Sequence, residues 1–183
     1  MLVLVAAACA DGSAGDGGGS GGDSSVGGSE GPRAHATPVD LVAPGGWSAA
    51  PGDDPMPDHA PAQVQCELGF GDEIGLFEVD TALCNYGVFS QPILDEVYEG
   101  DVVEFVLTHD DLVAPEPATG HLLFVIGGET AFDVQVPIPK AYDIVQGSWT
   151  PPAAIAAGTP VTLHIHNHGY NNWRVVSIEA HAP

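Results

Sequence analysis

The sequence predicts an all-β antiparallel sandwich behind a low-complexity N-terminal segment. Three observations carry that prediction. Short runs alternate apolar and polar residues at a period of two, which is the side-chain period of a strand. Glycine, proline and asparagine turn signals separate the runs at close intervals. No segment sustains the 3.6-residue apolar period of an amphipathic helix. About seven or eight such runs in one domain of ordinary size call for two packed sheets.

The composition excludes several function classes. The 183 residues hold 25 acids against three bases, Arg33, Lys140 and Arg174, for a formal net charge of -22. Nucleic acid and anionic membrane surfaces repel such a chain, so no nucleic-acid partner is expected. No D-x-[DN]-x-[DN]-G loop is present, and the acids read as a solvated surface rather than calcium ligands. The cysteines are Cys9, Cys66 and Cys84, with no C-x-x-C, which removes thioredoxin-like and zinc-ribbon chemistry. In an exported protein Cys66 and Cys84 are expected to form a disulfide and to leave Cys9 over. Closing a loop of that length stabilises the fold by roughly 3 kcal/mol in the chain-entropy picture.

Residues 1–10 read M-L-V-L-V-A-A-A-C-A, too short to span a bilayer, which takes about 20 residues. V-A-A-A-C resembles the lipobox of bacterial lipoproteins, in which small residues precede an acylated cysteine, although Ala6 stands where leucine is commoner. The resemblance implies a truncated signal over residues 1–9, lipid attachment at Cys9, and an exported protein anchored to the bacterial cell envelope. That anchor would be its sole membrane attachment. Residues 11–32 are almost entirely Gly, Ser, Asp and Ala, a flexible tether that cannot bury a core. Residues 33–65 are rich in Pro, Ala and Asp. They read as extended, mostly unstructured linker, with Trp47 as a semi-exposed linker residue. Residues 10–62 are therefore expected to be disordered and residues 63–183 to form the sandwich.

Within the domain, strands are expected over residues 74–79, 86–93 and 101–109. The run H-L-L-F-V-I over 121–126 is apolar on both faces, as a central strand would be. Gly127-Gly128 turns the chain into a strand over 131–138, followed by 142–149. The strand from Val161 places Leu163 and Ile165 on its apolar face, with Thr162, His164 and His166 opposite and His168 continuing the second set. After Gly169, residues 173–178 form the last strand.

The order "apolar strand, G-G turn, strand ending in proline, W-T-P, A-A-G-T-P-V-T-L, N-x-W-R-V-V-S-I", over residues 121–178, resembles the C-terminal half of galactose-binding-like jelly rolls. The resemblance implies a jelly-roll sandwich and a recognition domain rather than an enzyme. That family includes many carbohydrate-binding modules. H-I-H-N-H-G is also similar to the H-x-H copper-ligand strand of copper/zinc superoxide dismutases, but the flanking residues and its late position differ, and no roles carry over.

Two constellations can carry binding chemistry. His164, His166 and His168 share a strand face, with neighbours about 7 Å apart and the outer two about 13 Å apart. An H-x-H pair can converge on one zinc or copper ion, so a metal site needs a further ligand. His109 and His121 are the candidates, because they flank one loop that a hairpin would close. The set is then His109, His121, His164 and His166. The alternative is a ladder of hydrogen-bonded or pH-sensitive imidazoles. The second constellation is Tyr170, Asn171, Asn172 and Trp173, with His166 and His168 beside it. Aromatic faces stack on sugars and amides bond to hydroxyls, while the same residues also make a good turn with Trp173 as a core plug. No G-x-S-x-G, H-E-x-x-H or phosphate loop is present, and no enzyme is expected. The first reading of function is non-catalytic recognition of a glycan or similar polar ligand. The second is a zinc or copper domain, and the third is a structural or adhesion domain.

Overall fold

The computed structural model describes residues 33–183. The lipobox-like segment with Cys9 and the tether over 11–32 lie outside the described residues. In chain order the strands are β1 Val39–Asp40, β2 Ser48–Ala49, β3 Phe70–Glu73, β4 Leu76–Asp80, β5 Tyr86–Pro92, β6 Val102–His109, β7 Ala118–Ile126, β8 Glu129–Ile138, β9 Asp143–Trp149, β10 Pro160–Asn167 and β11 Asn172–His181. One sheet runs β3-β4-β11-β6-β9, with β1 added on β11, and the other runs β2-β5-β10-β7-β8. Every pairing is antiparallel. Counted from β4, the first sheet holds the first, eighth, third and sixth strands, and the second holds the second, seventh, fourth and fifth. That is the double Greek key of a jelly roll.

The core forms where the alternation is cleanest. Val103, Phe105 and Leu107 of β6, Leu122, Phe124 and Ile126 of β7, and Val161, Leu163 and Ile165 of β10 are all buried between the sheets. Cys66 and Cys84 form the expected disulfide. The strand expected over 74–79 begins only at Leu76, as β4. Ile74 and Gly75 form the tip of the β3–β4 hairpin, both at positive φ, and Ile74 is fully open to solvent. Gly75 explains this: a two-residue hairpin turn asks for left-handed backbone, which glycine supplies.

The segment expected as linker belongs to the sandwich from residue 33 onward. Leu41 is fully buried, and Trp47 is 9% exposed and stacks on Phe77 with ring centroids 5.2 Å apart. Residue Val39 pairs with Ala180, and Ser48 with Ser90. The buried Asp101 accepts from the backbone N–H of His35 at 2.7 Å and bonds its ring at 2.7 Å. The prolines that suggested disorder instead open the 3₁₀ turns Pro44–Gly46, Pro51–Asp53 and Pro57–His59, where a missing N–H costs nothing. Burial of Leu41 and Trp47 stabilises this docking by about 2–3 kcal/mol each.

Candidate metal centre and its cleft

The site lies on the outer face of the second sheet. With Leu163 and Ile165 of β10 facing the core, His164 and His166 must face the other way. Register then sets their neighbours. One row across the sheet reads Tyr86, His166, His121, Gln135, and the next reads Val88, His164, Leu123, Asp133. An outer face of a sandwich is normally wet, yet His164 is fully buried and His121 and His166 nearly so. The cover is the chain that follows β2. The Tyr86 hydroxyl donates to Asp54 Oδ2 and lies 3.0 Å from the Met56 carbonyl, which straps residues 51–59 across this face.

The strap delivers His59. Its ring centroid lies 5.3 Å from that of His121, 5.8 Å from His164 and 4.6 Å from His166. One ring nitrogen from each of His59, His121 and His164 lies within 4.8 Å of the other two. Carboxylates take the second nitrogen of two of them. His121 Nε2 bonds Asp133 Oδ1 at 2.7 Å, and His164 Nδ1 bonds Asp54 Oδ1 at 3.1 Å. A carboxylate only accepts, so each of these bonded nitrogens carries the proton and the other keeps its lone pair. Those left over, His121 Nδ1 and His164 Nε2, are buried without a hydrogen-bond partner, as is His59 Nδ1. An unmet buried polar atom costs about 1–3 kcal/mol, and these three lie on rings packed against one another. An ion held at about 2 Å by three imidazoles is reached from this arrangement by shifts of about an ångström or less. Carboxylates behind ligating histidines fix tautomer and ring orientation.

The electrostatics favour the neutral form of His164 and His166. Burial pushes His164 below its ordinary value, against the pull of Asp54. Burial also lowers His166, to about 4, with His168, His59, His164 and His121 adding to the effect. Burial pushes the Asp54 carboxyl up, but its bonds from Tyr86, the Met56 backbone and His164 outweigh this and hold it below the usual carboxylate range. Burial and the neighbouring Asp54 push the Tyr86 phenol up. Neutral imidazoles backed by an ionised carboxylate are the form that binds a cation. Beside the three nitrogens a cleft of about 680 Å³ opens, and His59, His121, His166 and His168 form part of its wall.

The structure unites part of each expected set. His121 and His164 meet, and His166 lies beside them. His109 does not, because consecutive strands β6 and β7 enter opposite sheets rather than one hairpin. His109 points into the sandwich, fully buried, with its ring 4.8 Å from that of Trp173 and its Nδ1 2.8 Å from the Asp110 carbonyl. His168 stands exposed just past the end of β10, its ring 4.5 Å from that of His166. The expected aromatic–amide surface does not form. Trp173 is 2% exposed, and its indole N–H donates to Asn167 Oδ1 at 3.2 Å. Asn171 is buried and accepts from the Val113 N–H at 2.6 Å. Asn172 donates to Glu78 at 2.8 Å, and Tyr170 alone of the four is open. These residues are a turn and a core plug, because β11 begins at Asn172 and turns Trp173 inward. His59, Asp54, Tyr86 and Asp133 are the partners that sequence reasoning missed. The available signal was a histidine in a segment whose prolines preset turns and whose Leu41 and Trp47 need burial.

No protein-family model matches the chain, and no curated protein is significantly similar to it. Among solved structures it is similar to a carbohydrate-binding module of the CBM4 type, with 12% identity and a TM-score of 0.46 over 80% of this chain and 95% of that one. It is also similar to the CBM22-1 xylan-binding domain of Paenibacillus barcinonensis Xyn10C, with 14% identity and a TM-score of 0.41 over 82% and 97%. A third similarity is to the enzymatically active domain of bacteriophage CBA120 tailspike protein 4, with 13% identity and a TM-score of 0.45. It covers 77% of this chain and 21% of that one.

Proposed function

We propose that this domain binds a transition-metal ion, zinc or copper, through His59, His121 and His164. One observation carries the reading: His59 and the buried His121 and His164 each bring a ring nitrogen within 4.8 Å of the other two, each ring has a buried nitrogen without a hydrogen-bond partner, and carboxylates back His121 and His164. Imidazole suits both metals, and a net charge of -22 raises the local concentration of cations. Thermal unfolding of the oxidised full chain near neutral pH, with and without excess Zn²⁺ or Cu²⁺, tests it. Free metal at a hundred times Kd stabilises the fold by about 2.7 kcal/mol. The upward shift is expected in the wild type and absent in His164→Ala. An unshifted wild type removes the reading.

The setting we propose is the bacterial cell envelope, with lipid attachment at Cys9. A disulfide between Cys66 and Cys84 suits an oxidising compartment. Cys9→Ser is expected to move the protein from the membrane fraction to the soluble one, and a variant that stays membrane-bound removes the anchor.

A further inference from the structure

We infer that the ion keeps one coordination position open to the adjoining cleft, and that an uncharged, hydroxyl-rich small molecule occupies it. This rests on the metal reading above. Three observations on the chain carry it.

The first is the count and placement of ligands. The compact set contains three imidazoles, and a zinc site with three protein ligands holds water or an outside ligand in the fourth position. His59 and His121 belong to that set and also line the cleft, so the cleft borders the set on their side. His166 lines the cleft as well but stands outside the compact set.

The second is room. The cleft, at about 680 Å³, falls within the range of small-molecule sites, roughly 300–1,000 Å³. A closed structural site needs no such space.

The third is the chemistry of the wall. No lysine or arginine lines the cleft, and Glu116 does. Asp54 and Asp133, hydrogen-bonded to the ligating rings, already offset the charge of a divalent ion. An anion therefore finds no net positive charge there. Thr119, Gln135, His166 and His168 supply hydroxyl, amide and imidazole groups that both donate and accept. That set complements neutral hydroxyls, with one hydroxyl or a neighbouring pair replacing water on the ion.

The test uses the full chain loaded with Cu²⁺. Pulsed electron–nuclear double resonance in ordinary and deuterated water reads exchangeable protons on the ion. We expect a strongly coupled, exchangeable water signal together with imidazole nitrogen couplings. Glucose, mannose and xylose are then added in turn. At least one is expected to abolish the water signal while the imidazole couplings persist, and Gln135→Ala is expected to demand about tenfold more of it. A water signal seen only in His166→Ala would identify His166 as a fourth, closing ligand and overturn the open position. A water signal that no sugar displaces would overturn the ligand class. Copper without imidazole couplings would remove the metal reading and this inference with it, and that result differs from the other two in the nitrogen couplings alone.

Discussion

The inner and outer faces of β10 share one backbone and are buried in different ways. Val161, Leu163 and Ile165 meet the opposite sheet and are held by apolar burial, which needs volume but little direction. His164 and His166 are buried too, at 0% and 7% exposure. They are covered by a strap whose Asp54 comes from 110 residues earlier in the chain than His164. Burial on that side is specific, because each imidazole must find a partner or pay for lacking one. The inner face therefore sets stability, and on the proposed reading the outer face carries binding.

Substitutions on the two faces should separate these roles. The largest effect is expected from Phe124→Ala on the inner face, at about 3–5 kcal/mol of unfolding free energy by denaturant titration. The folded fraction should still take up metal. His109→Ala sharpens the contrast among histidines. It opens a hole beside Trp173 and is expected to cost about 2–4 kcal/mol, yet leave the metal-dependent stabilisation intact. Loss of that stabilisation in His109→Ala would contradict the placement of the site. His59→Ala should behave oppositely, costing the metal-free fold under about 1 kcal/mol at a half-exposed strap position while abolishing metal uptake.

Smaller effects probe what holds the rings. Asp54→Asn removes the charge behind His164 and is expected to weaken metal affinity about 10–100-fold in a competition titration with a chromophoric chelator. Tyr86→Phe unties the strap from Asp54 and should cost about 1.5 kcal/mol. The pH dependence of the metal-free protein follows from the lowered pKa values of His164 and His166. The unfolded chain binds their protons near pH 6.5, and the folded His166 does so only near pH 4. Stability is therefore at its full value above about 6.5 and declines as pH falls toward 4. A midpoint of denaturation that stays flat across that window would contradict burial of neutral rings. Tyr170→Ala, on an exposed turn, is expected to stay within about 0.5 kcal/mol.

The sandwich was legible in the sequence because its signal is local. Val103, Phe105 and Leu107, or Leu163 and Ile165, declare an inward face by alternation alone. The site was half legible for the same reason. The period of two put His164 and His166 together on one face, but no local pattern says what lies over that face. His59 sits among prolines with no periodicity, and its role depends on Asp54 reaching Tyr86 and on Leu41 and Trp47 docking into the core. His109 does not join the set because the loop it shares with His121 is not a hairpin: β6 and β7 enter opposite sheets. Trp173 reads in the sequence both as a ligand platform and as a core plug, and the start of β11 at Asn172 fixes its parity as the plug.

The most direct test is X-ray absorption at the zinc edge of the protein loaded with one equivalent of Zn²⁺. With so many surface acids, bulk metal uptake alone does not distinguish imidazole from carboxylate ligation. The account predicts three imidazole nitrogens at about 2.0 Å, with their outer-ring scattering, and one lighter-shell oxygen donor. A spectrum fitted by oxygen donors alone, without imidazole scattering, would contradict it.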